Sequence, residues 1–348
     1  MRSWKVFSFL LIGIASASVG LEGCSDLDYL PRANTTPLAF EVPAGFPAPA
    51  YDFQRNPLNK ESVELGRHLF HEGRLSKDGN FPCASCHQQI AAFTTFDHDL
   101  SHGYNFSHTK RNAPGLANLA WQRAYRQDGS ASTLEEVSLA HITAPDEMAE
   151  TMGSVISKLQ QDTKYKQLFR AAYGDERITD DRILKAISQF LLTMVSADSK
   201  YDQVKKGTAT FTPQEQSGYQ VFQTKCASCH TEPLFTDFSY RNIGLPIQLF
   251  LSDYGRMRVT NDPADSLKFR VPSLRNVELT SYYPHDGRTA TMRQMVNHYR
   301  SGVTQGPTLD PLLTNGIPLT NTEIDNVLAF LRTLSDRNFV DNPKFGAP

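Results

Sequence analysis

The pentapeptide Cys-Ala-Ser-Cys-His occurs twice in this chain of 348 residues, at positions 83–87 and 226–230. Two cysteines separated by two residues and followed directly by histidine are the attachment signature of c-type haem. The thiols bond to the haem vinyl groups, and the histidine supplies the proximal nitrogen to iron. A redox dithiol or half of a zinc site would use the same cysteine pair, but neither needs the adjoining histidine. The repeat therefore predicts two covalently bound c-type haems.

The two motifs account for four of the five cysteines, so no pair is left for a structural disulfide. In this interpretation His87 and His230 are the proximal iron ligands. The residues predicted to hold the two haems are Cys83, Cys86, His87, Cys226, Cys229 and His230.

The fifth cysteine, Cys24, follows a segment typical of export. Arg2 and Lys5 precede a short apolar run, which is too short and too interrupted for a membrane helix. Residues 21–24 resemble a bacterial lipoprotein cleavage site, although a glutamate at position 22 is unusual there. Residues 1–24 are therefore predicted to be a signal peptide with a lipidated Cys24, and plain secretion is the alternative. Either hypothesis places the protein in the periplasm or cell envelope, with membrane contact only through the lipid.

The charge balance is nearly neutral, with 35 Lys and Arg against 37 Asp and Glu. Because nucleic-acid binding needs clustered basic side chains, this composition argues against nucleic acid as a partner. Hydrophobic residues make up 40% of the chain, an ordinary value for a globular protein, and the length allows two domains.

The elements that must position the two motifs are predicted to be helical. Residues 25–56 are rich in Pro and Ala and should form a tether or a wrapping arm. Apolar spacing then predicts helices before the first motif, over 152–173 and over 181–197. Capping boxes at Thr212–Glu215 and Thr320–Glu323 open two further helices. No β-alternating run of useful length is present.

The second half of the chain repeats the first. Gly218, Val221 and Phe222 stand before the second motif as Gly66, Leu69 and Phe70 stand before the first. The predicted fold is mostly α, with two helical domains and long loops. The first domain spans residues 57–205 and the second spans 206–348, and each carries one covalent haem.

Together with the haem motifs, several segments resemble the bacterial diheme cytochrome c peroxidase family, including its MauG-like branch. The resemblance runs from about residue 63 to 334. It implies two cytochrome c-like domains with a peroxidatic haem in the first, an electron-transfer haem in the second, and Ca²⁺ at the domain interface. The matching segments are 65–70, 111–114, 128–129, 147–148, 269–280 and 285–288.

The resemblance makes Glu147 the catalytic acid–base above the first haem. A carboxylate there can move a proton between the two oxygens of peroxide. The alternative is that Glu147 is only an acidic residue in the first turn of a helix. Two departures weaken the match. Val137 replaces a glutamine that often accompanies this glutamate, and Gln127 replaces the tryptophan between the haems, with Trp121 nearby.

The distal ligand of the second haem falls on Tyr299, where other family members carry methionine and MauG-like members carry tyrosine. Phenolate favours oxidised iron, whereas a thioether raises the potential. Met295 and Met292 lie one and two helical turns before Tyr299, and Met295 could bind the iron in its place. His298 is a weaker competitor for the same position. Packing of Tyr299 in a core is the remaining alternative.

Other ligands are implied less directly. His102, with His98 and His108 in reach, is the best-placed histidine to cap the first iron at rest. The calcium ligands implied by the resemblance are Asn112, Thr280 and Tyr282, the last replacing a proline.

Three functions remain open at this point. The first is a diheme peroxidase that reduces hydrogen peroxide with electrons from a cytochrome or cupredoxin. The second is a MauG-like oxidase that uses peroxide to form a high-valent diheme state and oxidises aromatic residues of a partner protein. The third is a diheme electron carrier. Glu147 argues against the carrier and Tyr299 favours the oxidase.

Overall fold

The fold is mostly α-helical, which confirms the predicted fold class, and its two strands are two residues long. The computed structural model describes Met1 and residues 33–348. The rest of the predicted signal peptide, including Cys24, and residues 25–32 of the tether lie outside the described residues. In the described part of the chain, no helix is long and apolar enough to cross a membrane.

The helices are separated by long loops, and the two antiparallel strands pair only with each other. The strands are β1 (Tyr240–Arg241) and β2 (Phe269–Arg270). The α-helices are α1 (Lys60–Phe70), α2 (Cys83–Cys86), α3 (Leu134–Thr143), α4 (Met152–Gln160), α5 (Thr163–Tyr173), α6 (Asp180–Leu192), α7 (Lys200–Lys205), α8 (Pro213–Lys225), α9 (Met257–Thr260), α10 (Met292–Asn297), α11 (Asn321–Arg332) and α12 (Arg337–Val340).

The first hydrophobic core forms where α1 crosses α6. The Asn59 side chain accepts a hydrogen bond from the Ser62 N–H and so begins α1. Leu65 and Leu69 then lie fully buried on its inner face. Gly66 lets the two helices approach, because a Cβ there would lie 2.0 Å from the carbonyl oxygen of Ala186.

The second core repeats this arrangement with α8 and α11. The predicted capping box joins Thr212 and Glu215 at the start of α8. A Cβ added to Gly218 would lie 1.9 Å from the Asn326 carbonyl oxygen, so the glycine again permits close helix contact. Tyr201, which precedes the predicted boundary at 205/206, packs in this second core. The boundary itself stays a prediction.

Two predicted helices have different limits in the structure. The segment 152–173 is two helices rather than one, because α4 ends at Gln160 and the Asp162 carboxylate caps a new helix by accepting from the Lys164 N–H. The helix predicted over 181–197 ends at Leu192. Beyond it, the Asn118 side chain bonds the backbone of Ser196 and replaces the helical hydrogen bonds there.

The described part of the Pro-rich segment lies across the first core. The N–H groups of Ala50 and Tyr51 both donate to the Ala120 carbonyl, at 2.9 Å. Aromatic side chains of the segment, among them Phe40 and Phe46, pack against Trp121. This part of the segment is a packed arm.

Arg111 links the two halves of the chain. Its guanidinium donates to both carboxylate oxygens of Asp253, at 2.6 and 2.8 Å, and to Asp128 Oδ2 at 2.7 Å. Both carboxylates are buried. Burial raises the pKa of each carboxyl group, but the charge and hydrogen bonds of Arg111 outweigh it and hold both pKa values below their usual range.

The close contact of α8 with α11 gives a test of the second core. Gly218→Ala should lower the free energy of unfolding by about 1–3 kcal/mol, because the Asn326 carbonyl belongs to a helix backbone and cannot easily move. Gly153→Ala in α4 is the matched control, since a Cβ there meets nothing within 4 Å. The control should leave stability unchanged or raise it by up to about 1 kcal/mol. Urea unfolding followed by circular dichroism measures both, and equal effects would contradict the packing.

Candidate haem and peroxide sites

The first Cys-Ala-Ser-Cys-His motif begins with a single helical turn. Cys83 and Cys86 are the ends of α2, and His87 directly follows it. The His87 Nδ1 bonds the Phe93 carbonyl oxygen at 2.8 Å, which fixes the ring and leaves Nε2 for a metal. Burial lowers the pKa of His87 to about 4, so its imidazole is neutral at pH 7, the form that binds iron.

The histidine of the second motif is held in the same way as His87, but this motif follows directly from helix α8. Cys226 is the C-terminal cap of α8, and His230 Nδ1 bonds the Phe235 carbonyl oxygen at 3.1 Å. Burial again lowers the pKa of the histidine. The motif follows α8 without the intervening loop that separates α1 from α2, which is why the sequence repeat is imperfect.

The donor sets at both motifs fit covalent haem. All four motif cysteines are free thiols, and each is partly accessible. Each motif offers two thiols within one turn and one imidazole whose Nε2 is not engaged by a hydrogen bond in the described chain. Across residues 33–348, no group of three or more His, Cys, Asp or Glu side chains is arranged to hold a metal ion. The two cysteine pairs therefore do not come together as a zinc ribbon.

Glu147 lies in a turn beside the first motif. The Glu147 N–H donates to the Ala144 carbonyl at 3.1 Å, and the Glu147 carbonyl accepts from the Tyr104 N–H at 2.7 Å. A Cβ at Gly103 would lie 2.8 Å from the Glu147 Cα, so the loop packs tightly on this turn. The helix-start alternative for Glu147 is wrong, because the next helix begins only at Met152.

The turn that carries Glu147 lies next to the first motif. The Cys86 Sγ lies 3.8 Å from the His102 carbonyl oxygen, and the next residue, Gly103, packs on the Glu147 Cα. The negative charge of Glu147 opposes the larger effect of burial on the pKa of His87. His141 Nδ1 hydrogen-bonds the Glu147 carboxylate. Sequence reasoning missed His141, although its place in the last turn of α3 and close to Glu147 was a usable signal.

Tyr299 lies in a π-helical turn, His298–Gly302, that follows α10. The expectation of a continuous α-helix through Tyr299 is therefore corrected. Tyr299 is absent from the residues that form or cover the second core, and its hydroxyl bonds no described residue. The Tyr299 carbonyl accepts from the Ile317 N–H at 2.8 Å, and the carbonyl of the next residue, Pro318, accepts from Lys225 Nζ at 2.6 Å. The turn therefore lies near the start of the second motif, since Lys225 directly precedes Cys226. Burial raises the pKa of Tyr299.

Two of the competing ligands have other contacts. His298 Nε2 bonds the carbonyl oxygen of Ile243 at 2.8 Å, and Met292 packs against the second core. The His298 ring nitrogen is therefore engaged elsewhere, whereas Met292 packs against the same core as Cys226 of the second motif. Met295 is half-buried and belongs to neither core.

Trp121 and Gln127 occupy different places. The Trp121 indole is buried in the first core, where its Nε1–H donates to the Pro47 carbonyl at 2.7 Å. Gln127 lies between the halves, since its carbonyl accepts from the Arg270 N–H at 2.7 Å and its side chain donates to the Asn112 carbonyl at 3.2 Å. Gln127 therefore contacts the second half, and Trp121 does not replace it there.

Arg270 is a half-buried cation at the same junction. Its guanidinium donates to the Arg126 carbonyl, at 3.4 Å, and forms no ion pair with any carboxylate among the described residues. Partial burial lowers the pKa of Arg270. A guanidinium without a carboxylate partner fits an anionic group such as a haem propionate.

The remaining predicted ligands lie near the junction and the first motif. His102 is exposed, and its ring lies between those of His98 (edge-on) and His108 (tilted), at centroid distances of 4.6 and 4.4 Å. The side-chain amide nitrogen of Asn112 donates to the Asp99 carbonyl oxygen at 2.9 Å. The Asn112 carboxamide oxygen accepts no hydrogen bond from the described chain and is available to a cation.

The segment with the other two predicted calcium ligands also meets this junction. In this segment, the carbonyl oxygen of His285 accepts a hydrogen bond from the Asn112 backbone N–H at 2.7 Å. Thr280 and Tyr282 precede His285, and the Thr280 hydroxyl donates to the Val277 carbonyl at 3.0 Å. The assignment of calcium ligands stays a prediction.

Comparison with known proteins agrees with this arrangement. The profile of the family described as di-haem cytochrome c peroxidase matches residues 60–210. The methylamine utilization protein MauG of Methylophilus methylotrophus is 32% identical over 302 residues, which cover 85% of this chain and 87% of the relative. The cytochrome c551 peroxidase of Nitrosomonas europaea is 34% identical over 296 residues, 84% of each chain.

A solved structure extends the similarity to the fold. A MauG-like protein associated with microbial copper homeostasis is 30% identical, with a TM-score of 0.80, and the match covers 89% of this chain and 99% of that chain. Peroxidases and MauG proteins thus both occur among the relatives. The matched length, the two haem motifs and the helical fold agree, and the chain belongs to the di-haem cytochrome c peroxidase family, as a peroxidase-type oxidoreductase with two c-type haems.

Proposed function

We propose that this protein reduces hydrogen peroxide with electrons from a small redox protein, a cytochrome or a cupredoxin. The position of Glu147 carries the proposal, because its turn packs tightly on Gly103, and the neighbouring His102 carbonyl lies 3.8 Å from the Cys86 thiol of the first motif. A protein that only carried electrons would not need an acid at that place. This argues against the carrier hypothesis.

The residues of the two motifs would hold the haems, with His87 and His230 as proximal ligands. When bound, each haem supplies a redox-active iron that exchanges single electrons. Glu147 would take the proton from one peroxide oxygen and deliver it to the other, which leaves as water. Two electrons from the donor protein and two further protons complete the reduction of peroxide to two waters. Arg270 would neutralise a propionate at the junction of the halves.

A MauG-like oxidation of aromatic residues in a partner protein is the second candidate, and Tyr299 favours it. A phenolate is a hard anionic donor that stabilises oxidised iron, so a haem ligated by Tyr299 would collect electrons poorly from a mild donor. The absence of Tyr299 from the second core supports its assignment as that ligand.

Several finer assignments complete the proposal. We infer that the protein works in the periplasm or cell envelope, anchored through Cys24, and that Ca²⁺ binds between the halves near Asn112. His102 is proposed as the resting distal ligand of the first haem, which would require its exposed ring to turn inward.

Cofactor load is the first test of this proposal. The denatured protein should retain two covalent haems, measured by mass spectrometry and pyridine haemochrome absorbance. Replacing Cys83 and Cys86 together with Ala should remove one haem, and replacing Cys226 and Cys229 should remove the other. Each double variant is the control for its counterpart. Recovery of one haem, or of zinc, from the wild type would contradict the assignment.

The role of Glu147 can be tested in fully loaded protein. Glu147→Gln should slow the reaction with hydrogen peroxide by about 10²–10⁴-fold, the usual contribution of general acid–base assistance. Asp146→Asn is the matched control, because it removes a neighbouring carboxylate whose side chain bonds no described residue. Stopped-flow absorbance measures both rates. Equal rates for Glu147→Gln and wild type would remove Glu147 from the chemistry.

The role of Tyr299 separates the two candidate functions. Tyr299→Met should raise the reduction potential of the second haem, because a thioether stabilises reduced iron more than phenolate does. It should also increase steady-state peroxidase turnover with a mild donor. Met295→Ala should leave the potential unchanged. In a potentiometric titration, a response to Met295→Ala alone would assign the ligand to Met295 and exclude the MauG-like candidate.

A further inference from the structure

Glu147 has a side-chain partner in the last turn of α3. His141 Nδ1 hydrogen-bonds the Glu147 carboxylate. The turn that carries Glu147 packs on Gly103, and the carbonyl oxygen of the preceding residue, His102, lies 3.8 Å from the Cys86 Sγ of the first motif. The two side chains form one unit beside the proposed peroxide site.

The backbone beneath this pair is already fixed. The loop residues Gly103 and Tyr104 pack on and hydrogen-bond Glu147, and Ala144 accepts its N–H. A glutamate side chain has three rotatable bonds, so a fixed backbone does not by itself fix the carboxylate. A further contact is needed to hold the carboxylate in one orientation.

His141 alone makes that contact among the described residues, since no other side chain or N–H group bonds the Glu147 carboxylate. Val137 lies one turn earlier on α3 and cannot contribute a hydrogen bond, because it is apolar and packs against the first core. The orientation of the carboxylate therefore depends on one imidazole nitrogen.

We propose that His141 is the positioning residue for Glu147, donating from Nδ1 to hold the carboxylate towards the first haem. The proposal rests on the acid–base role of Glu147. His141 does not touch the peroxide and acts only through Glu147, so its contribution should vanish when Glu147 cannot act as a base.

The test compares reactions of fully loaded variants with hydrogen peroxide. His141→Leu should slow the reaction by about 10–10²-fold, the usual loss when a supporting hydrogen bond is removed. His141→Asn should recover most of the rate, because the asparagine amide nitrogen can take the place of Nδ1. Haem content and the visible spectrum should stay those of the wild type. If the His141→Leu variant does not fold, the His141→Gln variant is used in its place. The glutamine side chain is longer, so its amide nitrogen cannot donate from the position of Nδ1.

A double-mutant cycle tests whether His141 acts through Glu147. The double variant His141→Leu/Glu147→Gln should react no more slowly than Glu147→Gln alone. His68→Leu is the matched control, because it removes another histidine–glutamate pair of the first half, with Nε2 of His68 3.4 Å from Glu64 Oε1, and it should react at the wild-type rate.

The outcomes separate the two levels of the proposal. Additive losses in the double variant, equal rates for His141→Asn and His141→Leu, or a wild-type rate for His141→Leu would each overturn the role of His141 while Glu147 keeps its own. A wild-type rate for Glu147→Gln would instead overturn the acid–base proposal and the positioning role with it.

Discussion

Two haem sites can cooperate only if the halves of the chain keep fixed relative positions, and the ion pairs of Arg111 impose that constraint. Its guanidinium holds one buried carboxylate from each half. Loss of one partner from such a set leaves a buried charge uncompensated, which typically costs about 3–5 kcal/mol. The junction therefore resists separation, because parting the halves would break both hydrogen bonds between Arg111 and Asp253.

The residues next to Arg111 extend this contact. The Asn112 N–H donates to the His285 carbonyl, and Gln127 accepts from the Arg270 N–H. The carbonyl of Asp128 accepts from Arg256 at 3.2 Å. Two short segments of the first half are thus joined to three loops of the second. The segments that form these hydrogen bonds overlap the segments that match the family. The family motifs therefore include residues that hold the two halves together.

The proximal sides of the two motifs are alike, so any division of labour must arise on the opposite sides. Both histidines bond a carbonyl through Nδ1, and burial lowers both pKa values. Glu147 and its partner His141 lie beside the first motif, and Tyr299 lies near the second. In the proposed roles, a proton acceptor at the first site suits peroxide chemistry, and a phenolate ligand at the second suits the storage of oxidising equivalents.

The sequence predicts the parts of this fold that depend on local or periodic patterns. The haem motifs, the capping boxes of α8 and α11 and the mostly helical fold class all follow from residues close together in the chain. The interruption between α4 and α5 was missed because apolar spacing continues across it, while a single capping carboxylate, Asp162, restarts the helix. His141 was missed because Glu147 is not on the same helix, so helical spacing gives no reason to pair them.

Tyr299 shows most clearly where sequence and structure complement each other. Its position comes from the family resemblance, but a tyrosine at that place could equally have packed in a core. A core tyrosine buries its ring among apolar side chains and gives its hydroxyl a partner. Tyr299 is half-buried outside the second core, its hydroxyl bonds no described residue, and it lies in a π-helical turn, a feature frequent at functional sites. These observations support the proposed iron ligation over core packing.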